Sequence, residues 1–298
     1  MCRLHHLQKI AGKWIIPILL SSLVLPSAFP QESLTINVLK TDAKVDPNEA
    51  YISELLQLII QHSPRRYQLV YGKGRMEQGR AIYEMSKPDG KIDILWSMTT
   101  DAREKQLIPI RIPIDKGLIG WRISLITEKN RNAFSKIKKI EDLKQYTAGQ
   151  GSSWPDVAIL KANQLPVLTS NGYDSLFTML VGERFDYFPR SVFEIWNELK
   201  SQREHAIEVE QNFILHYPSA CYFFITPRRP QLAEDLREGF EKIIAKGLFE
   251  KLFQQHNQEN IERSKIKLRT IIYLDNPLLK IDSLPLKRNE LWFQGSVR

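Results

Sequence analysis

Cysteine is almost absent: the 298 residues contain two, and one of them, Cys2, lies in the extreme N-terminal stretch. If that stretch is removed, Cys221 remains alone, no internal disulfide is available, and stability rests on a hydrophobic core. Histidine is scarce too, with six in the chain. His62, His205, His216 and His256 fall at no metal-ligand spacing, so no metal is expected. Nucleophile and phosphate motifs are missing: there is no Gly-x-Ser-x-Gly elbow and no P-loop lysine, and Gly149-Gln150-Gly151 lacks the third glycine of a dinucleotide fingerprint. Neither catalysis nor a cofactor has a positive signal, and the chain is read as not an enzyme. Internal repeats and low-complexity tracts are also absent. With 43% hydrophobic and 26% charged residues, disorder is excluded, and the length suffices for two domains.

Acidic residues are in deficit, 34 against 42 Lys and Arg, for a net charge of +8. Arg3, Lys9 and Lys13 precede the apolar run Trp14 to Leu20 and its continuation Leu23-Val24-Leu25, with small residues at Ser27 and Ala28. A basic segment, a short apolar segment and small residues describe a secretory signal peptide over 1–28, which implies export to the periplasm. Retention as an N-terminal anchor is the alternative. No Cys follows the apolar run, as a lipoprotein would need, and no later run reaches the roughly 18 apolar residues of a membrane span. The leader takes three surplus cations with it. The others are dispersed among acids, as in Lys136, Lys138 and Lys139 beside Glu141 and Asp142, so they read as solvated faces and not as a nucleic-acid surface.

Alternating and 3.6-residue patterns then organise the chain. Leu34 to Leu39 reads as a strand. A helix entered at Asp46-Pro47 places Ile52, Leu55, Leu56, Ile59 and Ile60 on one stripe. Tyr67–Tyr71 and Ile92–Trp96 are further strands, with a helix from Glu77 to Met85 between them, which implies a parallel α/β unit. Two β-rich stretches, Ile110–Ile114 and Leu118–Ile126, suggest a crossing into a second α/β series. That series has strands near 146–148, 166–168, 185–188 and 213–215, and Cys221–Ile225 is the natural return. The expected domains are a discontinuous lobe 1 (29–117 and 222–298) and a lobe 2 (118–221), each a mixed sheet flanked by helices, joined by two hinge strands.

Two loops stand where an open α/β sheet binds ligands, beyond the carboxyl end of a strand. In Trp96-Ser97-Met98-Thr99-Thr100-Asp101-Ala102-Arg103, a guanidinium and the hydroxyls of Ser97 and Thr100 could surround a carboxylate. The same spacing also fits a helix start capped by Thr100 or Asp101. In Gly149-Gln150-Gly151-Ser152-Ser153-Trp154-Pro155, free backbone N–H groups at a helix start could receive an anion, or Ser153 could simply cap the helix. Trp96, Trp154, Tyr51 and Tyr187 fit either a ligand-stacking role or the core.

The order and spacing of these segments, together with Gly90-Lys91-Ile92-Asp93-Ile94, Thr100-Asp101-Ala102-Arg103-Glu104, Glu141-Asp142-Leu143-Lys144 and Gly182-Glu183-Arg184-Phe185-Asp186, resemble bacterial periplasmic solute-binding proteins of the type II fold, in the polar amino-acid-binding (family 3) group of ABC importers. The resemblance implies that Arg103 holds a ligand carboxylate with support from Thr100 and Ser97, and that Gly151, Ser152 and Ser153 assist from the second lobe; Trp96 joins the expected ligand-binding residues as a stacking surface. It places the acid for a ligand ammonium a few residues after the strand carrying Asp186, where this chain has Arg190 and no acid. Asp42, after the first strand, is the substitute candidate, or else the ligand is not an α-amino acid. Asp186 itself is expected to support the fold.

The resemblance further implies a monomer that clamps a small anionic or zwitterionic, amino-acid-like ligand for uptake through an inner-membrane permease. The alternative is a ligand-sensing module that signals to a membrane kinase or cyclase.

Overall fold

The computed structural model describes residue 1 and residues 33–39, 48–72 and 76–293. Apart from Met1, the expected leader lies outside the described residues, as does Asp42. The described residues from Ser33 onward belong to one compact unit.

The chain begins β1 (Leu34–Val38), α1 (Glu49–His62), β2 (Tyr67–Tyr71), α2 (Gln78–Ser86), β3 (Ile94–Met98), α3 (Asp101–Gln106) and β4 (Ile108–Ile110). A 3-10 turn leads into β5 (Trp121–Thr127), which is followed by α4 (Ile140–Leu143), β6 (Ala148–Gly151), α5 (Asp156–Ala162), β7 (Val167–Ser170), α6 (Tyr173–Val181), β8 (Phe188–Ser191) and α7 (Ile195–Ser201). After β9 (Ile207–Val209) and β10 (Phe213–His216) come β11 (Cys221–Ile225), α8 (Pro230–Ala245), α9 (Leu248–Ser264) and β12 (Thr270–Tyr273).

The first sheet has the order β2-β1-β3-β11-β4. β1 runs parallel to β2, with Leu34 opposite Tyr67, while the returning β11 lies antiparallel between β3 and β4. The second sheet has the order β12-β10-β5-β8, with β9 also on β5. β6 and β7 form a parallel pair, tied to the residue before β8 by a bridge between Ala148 and Tyr187. The expected mixed α/β architecture is present. Residues 270–273, expected with lobe 1, instead pair in parallel with β10 in the second sheet.

The apolar stripe of α1 behaves as its spacing requires: Ile52, Leu55, Leu56 and Ile59 are buried. α8 buries Leu236, Phe240 and Ile243. A Cβ on Gly239 of α8 would stand 2.4 Å from the Ile59 carbonyl oxygen, so the closeness of the two helices depends on this glycine.

Strand limits differ from the sequence reading chiefly in the second sheet. The aromatic run Phe185–Phe188 suggested a strand ending before Arg190. Pairing with β5 instead sets the strand at Phe188–Ser191, with Arg190 opposite Ile123. Arg190 therefore lies within a strand and not in the loop that follows one.

Candidate functional site

A cavity of about 410 Å³ opens between elements of the two sheets. One wall comes from β1, α1, α2 and β3, including Ile52, Gln78, Trp96 and Ser97. The other comes from α5, α6, β8 and α7, including Trp154, Asp156, Tyr173, Arg190 and Glu194. Its volume falls within the range of small-molecule sites.

Trp96, Ser97 and Arg190, all expected site residues, line this cavity, whereas Thr100, Arg103, Gly151, Ser152 and Ser153 do not. Asp42 lies outside the described residues.

Arg103 sits one layer behind the wall, 7% exposed. Its Nη1 donates to the Ser97 hydroxyl and to the Met98 carbonyl at 2.8 Å, and its Nη2 donates to Gln78 Oε1 at 2.7 Å and to the Ser153 carbonyl at 3.3 Å. All four partners are neutral, and burial pulls the guanidinium pKa down to about 10. Thr100 takes the capping role: it is the N-cap of α3, and its hydroxyl accepts from the Arg103 backbone N–H at 3.1 Å.

The glycine-containing loop is also engaged with its own surroundings. Ser152 N–H donates to the Ser170 carbonyl, Trp154 N–H to the Gly151 carbonyl and Val157 N–H to the Trp154 carbonyl. Ser152 and Ser153 are exposed, and the Ser152 hydroxyl bonds Asn171. This arrangement is a turn that delivers Trp154, Pro155 and Asp156 to the cavity, and the helix it enters has Pro155 at its N-cap with no side-chain cap from Ser153. Gly151 is required there because a Cβ would meet the Trp154 indole at 2.5 Å.

Asp186 accepts the Thr147 backbone N–H at 2.7 Å, the supporting role expected of it. Tyr51 and Tyr187 are core residues.

A buried ionic network that sequence reading missed forms the charged end of the cavity. Arg190 Nε lies 2.8 Å from Glu198 Oε2, and its Nη2 lies 2.6 Å from Glu198 Oε1 and 3.2 Å from Glu194 Oε1. Its guanidinium also stacks over Trp154, 4.5 Å from the ring centroid. Arg122 reaches Asp156 at 3.0 Å, Glu194 at 3.1 Å and the Tyr217 hydroxyl at 2.8 Å. The Tyr217 hydroxyl in turn donates to Asp156, and Tyr173 donates to Glu198 at 2.9 Å.

Burial opposes the charge on Arg122, yet Asp156, Tyr217 and Glu194 together hold its pKa above the ordinary value. Burial raises the Glu194 carboxyl pKa against the pull of Arg190 and Arg122. Two arginines thus face three carboxylates. The local clue was the nearness of Arg190, Glu194 and Glu198 in the chain; Arg190 lies in β8 and Glu198 in α7, and the turn between the two elements brings them together.

No family model matches the sequence, and no curated protein matches it. Solved structures do. An ancestral arginine-binding protein bound to arginine is similar over 74% of this chain and 97% of its own, with a TM-score of 0.57 and 16% identity. A probable amino-acid ABC transporter extracellular-binding protein from Bacillus subtilis is similar over 76% and 98%, with a TM-score of 0.56 and 17% identity. The BvgS VFT2 domain of Bordetella pertussis is similar over 75% and 93%, with a TM-score of 0.58 and 13% identity.

The fold is that of two-lobed periplasmic binding proteins. Structure neighbours of this kind agree with the resemblance drawn from the sequence, and at these identities it is the two-lobed fold that is shared.

Proposed function

We propose that the protein is an exported, monomeric solute-binding protein without catalytic activity, which encloses a small amino-acid-like solute and presents it to an inner-membrane ABC-type permease. The observation that carries this reading is the cavity of about 410 Å³, walled from both sides by elements of different sheets and lined by apolar residues together with charged ones, among them Arg122, Arg190, Asp156, Glu194 and Glu198. Lobes at 29–117 with 222–298 and at 118–221, exchanging residues 270–273, would close on the ligand as a hinge. Removal of the leader 1–28 would release the chain into the periplasm.

Trp96 and Ser97 meet the solute in this reading, and Arg190 lines the site while paired with Glu194 and Glu198. Arg103 and Thr100 brace the wall from behind, and Gly151, Ser152 and Ser153 shape the turn that carries Trp154. Of the anionic and zwitterionic ligands suggested by the sequence, the lining favours one with a cationic end: among the described residues, six carboxylate side chains and two arginines line the cavity.

The test is a thermal-shift screen of the purified chain against amino acids, dicarboxylates, amines and short peptides, followed by titration monitored by the fluorescence of Trp96 and Trp154. A true ligand at 100 times its Kd adds about 2.7 kcal/mol to the folded state, a shift of several degrees. A screen in which no class of small solute raises Tm refutes the proposal.

A further inference from the structure

We infer that the solute is recognised through an ammonium group set against Glu194 and requires no carboxylate, so that an apolar amine is a better ligand than the amino acid from which it derives. This rests on the solute-binding reading above and specifies the ligand's chemistry.

The first observation concerns the cation that would receive a carboxylate. All four Nη hydrogens of Arg103 are accepted by neutral oxygens of the protein. Gln78, itself a cavity-lining residue, places its amide oxygen on Nη2 at 2.7 Å. A ligand carboxylate can reach those Nη hydrogens only by expelling one of these acceptors, Gln78 or the Ser97 hydroxyl among them. Either displacement leaves a partly buried polar group to find a new partner, which offsets much of the gain.

The second observation concerns the other end. Arg122 and Arg190 are already paired, and the three carboxylates around them, Asp156, Glu194 and Glu198, outnumber them. Glu198 is 1% exposed and Asp156 5% at the side chain, whereas Glu194 retains 13%. Glu194 is thus the member of the trio most open to a ligand, held in place by Arg122, Arg190 and the Ser191 N–H. A carboxylate brought to this surplus is repelled and an ammonium is attracted.

The third observation is the wall. Ile52, Leu56, Met76, Leu95, Trp96 and Trp154 offer an apolar surface for the ligand body, and among the described residues the lining holds no cation besides Arg122 and Arg190. The match is a compact organic monocation with an aliphatic or aromatic body.

The experiment is a calorimetric titration of the full chain with three matched probes: phenethylamine, phenylalanine and 3-phenylpropanoate, repeated with 3-methylbutylamine, leucine and 4-methylpentanoate. The amine should bind at least tenfold more tightly than the amino acid in each set, and the acid should not bind. Glu194→Gln leaves two arginines against two carboxylates, and should weaken the amine tenfold or more. The wild-type comparison decides even if that variant does not fold. Tighter binding of either amino acid or either acid overturns the inference and leaves the solute-binding reading standing. Absence of binding by these probes, together with a screen in which no small solute raises Tm, overturns both.

Discussion

Arg190 and Glu198 form a buried two-pronged pair, with Nε 2.8 Å from Oε2 and Nη2 2.6 Å from Oε1, at side-chain exposures of 5% and 1%. The pair converts a cation that would repel a ligand's ammonium into a fixed structural element, because Glu198 neutralises it and Trp154 covers its face.

Breaking this pair from one side leaves a buried charge without its partner. Glu198→Ala should therefore destabilise the fold by about 3–5 kcal/mol, whereas the double variant Arg190→Met with Glu198→Met should recover most of the loss. Urea unfolding of the three proteins measures the difference.

Gln78 holds the position on Arg103 that a ligand carboxylate would take. Gln78→Ala should shift preference toward carboxylate-bearing ligands by severalfold, because one Nη2 hydrogen of Arg103 is released while Arg190, Arg122 and their carboxylates are unchanged. The ratio of phenylalanine to phenethylamine affinity reads this directly. Arg103→Ala should act mainly on stability, lowering it by about 1–3 kcal/mol through the buried acceptors it abandons.

Gly151→Ala should push the Trp154 ring off its seat, since the new methyl would sit 2.5 Å from the indole. A cost of about 1–3 kcal/mol is expected from overpacking, together with a changed tryptophan emission spectrum and weaker ligand binding.

His216 is buried and stacked on Trp121, with ring centroids 3.9 Å apart. Burial lowers its pKa to about 4. The unfolded chain takes up a proton at about pH 6.5 while the folded chain stays neutral, so stability is full above that pH and declines as pH falls from about 6.5 toward 4. His216→Gln should remove that part of the acid dependence, which denaturation midpoints at pH 7, 5.5 and 4.5 would show.

Some of this was legible residue by residue. Tyr67–Tyr71 and Cys221–Ile225 are strands at the limits their apolar patterns suggest, and the α1 stripe faces the core because burial selects a period of 3.6. The N-cap at Thr100 was one of two readings that the spacing allowed, and the helix took it. β12 and α9 were not read from the sequence. The short run Thr270–Tyr273 follows a lysine-rich stretch and becomes a strand only because β10 offers an edge.

By itself, the sequence determined the alternation of strands and helices and hence the mixed α/β class, because apolar periodicity and turn residues act over a few positions. Tertiary structure decided the character of the site. Whether Arg103 and Arg190 meet a ligand or the protein's own oxygens depends on which groups fold against them. For Arg103 they lie as far away in the chain as Ser153, 50 residues on, and the network around Arg190 is completed by Arg122, 72 residues from the Glu194 it shares. Charge in a cleft is a sum over such distant neighbours, and local pattern carries no record of that sum.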